Sequence, residues 1–184
     1  MNKNKALVYQ IKVTLRHVAP PIWRRIEVPG DIRLGKLHRV LQIAMGWTDS
    51  HLHAYHMGGA TYGTPDPEFP NETQSERSVR LDKVVGEGDT LIYEYDFGDS
   101  WEHTLKVEKI LPADPTTHYP RCTVGSRACP PEDCGGPPGY EQLLEVLGNP
   151  KHEEYEAMRE WTCGEFDPEV FDLGQVNQDL WRMK

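Results

Sequence analysis

Two runs of alternating apolar residues on either side of a short polar turn constrain this chain more than any other feature. Leu91, Tyr93, Tyr95 and Phe97 recur with a period of two, Trp101, His103, Leu105 and Val107 do the same, and Gly98-Asp99-Ser100 stands between them. Successive side chains of a strand point to opposite faces, so each run has one face for a core, and a short Gly-containing link joins them as an antiparallel hairpin. A second hairpin follows from Leu7, Tyr9, Ile11, Val13 and Leu15, then Ile22, Ile26 and Val28, with Ala19-Pro20-Pro21 as the turn and Pro29-Gly30 closing the pair.

Between the hairpins the period changes. Leu34, Leu37, Val40, Leu41, Ala44 and Met45 fall at helical spacing, with Asp31 as cap, Gly46 as stop, and Arg33, Lys36 and Arg39 on the polar side. His51 to Met57 reads as a short strand placing His51, His53, Tyr55 and Met57 on one face. Thr64 to Glu76 reads as an exposed loop, and Val79 to Val85 as a short strand or turn. The proline-rich stretch from Pro112 to Pro138 lacks periodicity and is expected to be ordered but irregular. Short helices are expected at Tyr140 to Leu147, at His152 to Trp161 and after Asp172. The predicted fold is therefore α+β, with an antiparallel sheet built from hairpins, one amphipathic helix packed on it, and a short C-terminal helical group. No internal repeat or boundary divides the 184 residues, so residues 1–184 are expected to form a single domain.

Charge and targeting signals narrow the setting. Net charge is −9, yet residues 1–50 carry nine Lys/Arg against three Asp/Glu. That basic region is expected to be a solvated face, because the field of the whole chain opposes a polyanion; a nucleic-acid accessory role using the basic helix is the third alternative. No apolar run approaches the roughly 18 residues of a membrane span, and Met1 to Gln10 lacks a secretory apolar segment, so a cytosolic, membrane-free protein is predicted. In that compartment its four cysteines are free thiols or metal ligands rather than disulfides.

The residues that carry chemistry cluster around the central turn. The string from Asp96 to His103 and the string Cys129-Pro130-Pro131-Glu132-Asp133-Cys134-Gly135-Gly136 are rich in polar groups and stiffened by Gly and Pro, a composition suited to a ligand site. A polar pocket lined by Trp47, His53, Asp96, Asp99, Trp101, His103, Glu132 and Asp133 is the first expectation, for a small molecule or a partner protein's chain end. Each residue has a plainer reading too: the tryptophans seal the sheet, His103 is a hydrogen-bonded core histidine, and Glu132 and Asp133 accept donors from Gly135 and Gly136.

A divalent metal such as zinc is the second expectation. His51 and His53 form an H-x-H pair, and Cys122, Cys129 and Cys134 carry soft thiols, although their spacings fall outside the paired-cysteine zinc signatures. A metal-dependent hydrolase or nuclease centred on His51, His53, Asp96 and His103 is the corresponding activity. Asp96-Phe97-Gly98 does not make a kinase, because no phosphate loop or His-Arg-Asp loop accompanies it, and no Gly-x-Ser-x-Gly elbow is present.

Taken together, Tyr9-Gln10-Ile11-Lys12-Val13, Pro21-Ile22-Trp23-Arg24-Arg25, Trp47-x3-His51-Leu52-His53, Tyr95 to His103 and Cys129 to Gly136 resemble the Ri-plasmid open-reading-frame-three-like family, over about Tyr9 to Leu180. The resemblance implies a compact α+β fold found on plasmids and mobile elements, with no established activity and no catalytic residue to carry over. A resolvase label borne by some members has no support in this chain, which has neither a nucleophile among clustered arginines nor a charge suited to gripping DNA.

Overall fold

The structure, a computed structural model, describes residues 6–68, 72–164 and 166–183. Residues 69–71 of the expected Thr64–Glu76 loop, and residues 1–5 of the segment read for a secretory signal, lie outside the described residues. The strands are β1 (Leu7–Leu15), β2 (Trp23–Pro29), β3 (His53–Met57), β4 (Ala60–Gly63), β5 (Thr73–Ser75), β6 (Thr90–Tyr95), β7 (Trp101–Pro112) and β8 (Arg121–Ser126). The helices are α1 (Leu34–Met45), α2 (Gly136–Leu147), α3 (Tyr155–Trp161) and α4 (Leu173–Arg182). All the strands join one sheet in the order β5-β4-β3-β6-β7-β1-β2-β8, antiparallel except for the short parallel β4–β5 pair.

Strand alternation sets the register. Tyr93 opposes His103 and Leu91 opposes Leu105 in the central hairpin, while Leu105 opposes Val13 and Val107 opposes Ile11 across β1. Ile11 in turn faces Ile26 of β2. The result is a continuous row of buried side chains running across four strands, over which α1 lays Leu34, Leu37, Val40, Leu41, Ala44 and Met45. Each large apolar side chain so enclosed contributes about 1.5–3 kcal/mol of burial, which makes this face the main source of stability. Among the described residues no helix is long and apolar enough to cross a membrane.

Four local expectations are corrected. Pro29 and Gly30 do not close the first hairpin; the Leu15–Ile22 side turns it, and the Gly30 N–H instead donates to the Leu7 carbonyl at its open end. The residue flanking α1 is Arg33, not Asp31, and it gives no side-chain cap; the N–H groups of Leu34 and Gly35 donate to the carbonyls of Val79 and Glu76. Tertiary packing thus satisfies the helix donors that a cap would otherwise take. The stretch expected to be an exposed loop carries β5, paired with β4, while Leu81–Lys83 is a single 3-10 turn, one of the two readings given for Val79–Val85. The stretch expected to be irregular contains β8, an edge strand on β2 that buries only Cys122 well. Gly46 does stop α1, in the left-handed region at φ 93°.

Candidate functional site

The connection from α1 to β3 passes between the central turn and the loop that begins at Cys129. Trp47 leads it: its indole N–H donates to the Pro130 carbonyl at 2.9 Å, its ring stacks on Tyr95 at 5.0 Å, and its edge meets His103 at 5.2 Å. Thr48 follows, donating through its N–H (3.2 Å) and its hydroxyl to Glu132, which also accepts the Tyr95 hydroxyl. Glu132 therefore ties the loop to the connection and to β6, rather than accepting donors from Gly135 and Gly136.

The turn and the loop touch directly. The Gly135 N–H donates to Asp99 Oδ2 at 3.2 Å, and the α-carbon of Gly136 faces the Asp99 carbonyl so closely that a β-carbon there would lie 2.5 Å from its oxygen. Gly136 also has φ 67°, so both conformation and space require glycine. Asp96, at φ 55°, holds the turn by accepting the Gly98 N–H (3.0 Å) and passing its own N–H to the Leu52 carbonyl (2.9 Å).

At this junction His51 lies between two carboxylates. Its Nδ1 is 3.7 Å from Asp96 Oδ2 and its Nε2 is 3.1 Å from Asp133 Oδ1. The second contact lacks hydrogen-bond geometry, and Nε2 is an enclosed nitrogen without a hydrogen-bond partner. One ligand atom from each of His51, Asp96 and Asp133 falls within 4.8 Å of the others. Asp133 sits at φ 60° with its side chain 72% exposed, so the group opens to solvent on one side.

His53 does not join it. Asp49, at φ 59°, bends the connection ahead of β3, and His51 lies outside the strand, so the two histidines of the H-x-H diverge. His53 stacks face to face on His38 of α1 with 3.4 Å between centroids, and its Nε2 meets Glu76 Oε2 at 2.7 Å. His38 belongs to a closed ring of hydrogen bonds in which every proton can be assigned. The Asp49 N–H donates to Gln42 Oε1 (3.0 Å), which fixes the amide so that Gln42 Nε2 donates to the Tyr93 hydroxyl (2.9 Å). That hydroxyl then donates to His38 Nδ1 (2.8 Å), leaving the proton on Nε2 for Asp49 Oδ1 (2.6 Å). His38 is accordingly neutral, and burial, then the adjacent His53 ring, holds its pKa below the ordinary value. His38, Asp49 and His53 also have ligand atoms within 4.8 Å. A metal on His38 Nε2 would need the proton on Nδ1, which would leave the Tyr93 hydroxyl without its acceptor.

The remaining candidates are scattered. Trp101 and His103 are enclosed in the core at 1% and 0% exposure. His103 donates through Nδ1 to the Tyr93 carbonyl (3.3 Å), and burial brings its pKa down to about 4. Cys122 is buried on β8, where its thiol donates to the Val124 carbonyl at 3.5 Å. Cys129 and Cys134 flank the loop, with burial pushing both thiols up, Cys134 to about 12. Among the described residues no cysteine shares a ligand group with a histidine. His38, Gln42, Asp49, Glu76 and Tyr95 were not singled out from sequence; the available signal was a His and a Gln four apart on the apolar face of α1.

Comparison with known proteins adds a lineage without an activity. An uncharacterised protein, y4hQ, of Sinorhizobium fredii (strain NBRC 101917 / NGR234) is 42% identical over 177 residues, covering 94% of this chain and 90% of that protein. A crystal structure of a protein of unknown function, MM3350 from Methanosarcina mazei Go1, superposes with TM-score 0.87 at 38% identity, covering 96% of this chain and 99% of that one. The family described as plasmid pRiA4b ORF-3-like protein matches residues 7–175. With this match across most of its length, the chain belongs to the plasmid pRiA4b ORF-3-like family.

Proposed function

We propose that this protein is a single-domain cytosolic binding module whose ligand is a divalent transition-metal ion, held where the central turn meets the Cys129–Gly136 loop. The ligands are His51, Asp96 and Asp133. The observation that carries the reading is the enclosed, unpartnered Nε2 of His51 beside two carboxylates. An imidazole with carboxylates suits zinc, manganese or iron(II), and a cation there relieves the repulsion between two acidic groups drawn to one ring. Glu132 and Asp99 act around the ion by fixing the loop and the turn that carry the ligands.

The exposed side of Asp133 favours a second reading, metal-dependent hydrolysis, because three protein ligands leave a position for water. Equilibrium dialysis with zinc, manganese and iron(II), followed by elemental analysis, tests the first reading. One equivalent retained by the wild type and lost in His51→Ala supports it; no ion retained, or equal retention in both proteins, removes it. Turnover of a generic phosphodiester that disappears in the same variant would be required for the second reading.

A further inference from the structure

A separate feature lies on the other side of the Pro130–Glu132 loop. A cavity of about 600 Å³ opens between the C-terminal end of α1, that loop and the 161–179 segment, a size ordinary for small-molecule sites. Its walls are largely apolar, including Trp47, Trp161, Phe166, Phe171 and Val176. Arg24, only 1% exposed, also lines it.

Arg24 makes no ion pair among the described residues. Its Nε donates to the Ala44 carbonyl (2.8 Å) and its Nη1 to the carbonyls of Trp23 and Ser126 (both 2.9 Å), while Phe171 covers one face of the guanidinium at 3.9 Å. All of these partners are neutral, so a full positive charge is buried without a counter-charge, an arrangement that is costly unless something compensates it. Nη2 has no acceptor among the described residues, and the side chain that carries it lines the cavity.

None of the acidic groups on the lining forms an ion pair with Arg24 among the described residues; each is engaged elsewhere. Glu132 is held by Thr48 and Tyr95, Asp172 accepts the Gln175 N–H at 2.8 Å, and Asp179 accepts Gln175 Nε2 at 2.8 Å. The Cys129 thiol is kept protonated by burial. Those carboxylates do, however, disfavour a second negative charge on anything that enters.

We propose that this cavity binds a small monocarboxylic acid with a flat apolar body, its carboxylate paired to Arg24 and its body against Trp47, Phe166 and Val176. A monoanion fits because it neutralises one guanidinium while adding the least repulsion to the rim, and the apolar remainder fits because the walls offer it few polar partners.

Indole-3-acetate and phenylacetate serve as probes, with tryptophol as the uncharged counterpart of the first and inorganic phosphate as the dianion. Binding is read by calorimetry and by the shift in the thermal unfolding midpoint of the full chain. The acids are expected to bind about ten- to hundredfold more tightly than tryptophol, the difference a charged pair supplies. Val176→Trp, which occupies the cavity and leaves the Arg24 side chain unaltered in sequence, is expected to abolish binding while the far-ultraviolet dichroism stays native; Arg24→Lys, if folded, weakens it. Equal binding of tryptophol, preference for phosphate, undiminished binding to folded Val176→Trp, or no acid binding at millimolar concentration each overturns the proposal. None of these measurements depends on whether His51 holds a metal.

Discussion

The two histidine clusters are built from the same residue types and differ in what their protons can do. Around His38 each donor meets an acceptor in a closed circuit linking α1, β6 and the Asp49 bend, with His53 stacked alongside and bonded to Glu76. Around His51 the circuit is open: Nε2 has no hydrogen-bond partner, and Asp133 projects into solvent. A saturated cluster holds the fold together because removing any member strands its neighbours, whereas an unsaturated one has capacity left for a ligand. Counting histidines and carboxylates does not separate the two roles, but tracing each proton does.

The largest expected effect comes from opening the closed circuit. Tyr93→Phe removes the acceptor of Gln42 and the donor of His38 at once, and two stranded buried groups are expected to cost about 2–4 kcal/mol in urea unfolding. A loss below about 1 kcal/mol would break the contrast between the clusters.

Acid comes next, through His103. Its folded pKa is about 4, below its unfolded value, so the native state resists a proton that the unfolded chain accepts. Stability is therefore intact above the unfolded pKa and falls as pH drops from about 6.5 towards about 4, by on the order of 3 kcal/mol, with no further loss from this group below that. His38, also held low, pushes in the same direction. Unfolding followed across this window should be clearly flatter in His103→Leu, and an unchanged slope would contradict the assignment.

Gly136→Ala is expected to cost about 2 kcal/mol, because a β-carbon collides with the Asp99 carbonyl at positive φ. It should also weaken metal uptake at His51 by displacing the loop, which links the two measurements at the junction.

The smallest effect on stability, Asp133→Asn, sharpens the contrast most. Asparagine tolerates the left-handed backbone and the side chain is exposed, so stability should stay within about 0.5 kcal/mol while zinc affinity falls about tenfold or more.

What could be read in the sequence was whatever is encoded locally. The alternation through Leu91–Tyr95 and Trp101–Val107 and the helical spacing ending at Gly46 describe elements whose patterns lie within a dozen residues. β8 was hidden because its pairing with β2 is distant in sequence and its burial rests on Cys122 alone. The meeting of the central turn with the Cys129–Gly136 loop was foreseen, and it forms, yet as direct packing of Gly135 and Gly136 on Asp99 rather than as one broad polar cavity. Trp47 and Glu132 reach the cavity that Arg24 lines, which lies on the far side of that loop. The H-x-H misled because alternation was assumed to begin at His51, whereas β3 begins at His53, and His51 lies in the connection that Asp49 bends, turned towards Asp96 while His53 meets Glu76. Glu76 had no sequence signal, since a glutamate in an acidic loop looks like any solvated one.

The most direct test is a nitrogen-15 spectrum of the histidine side chains as one equivalent of zinc is added. His51 is predicted to shift, while His38 keeps its proton on Nε2 and His53 stays unchanged. Zinc-dependent shifts at His38 and His53 with His51 unmoved would place the ion in the closed cluster and contradict the account.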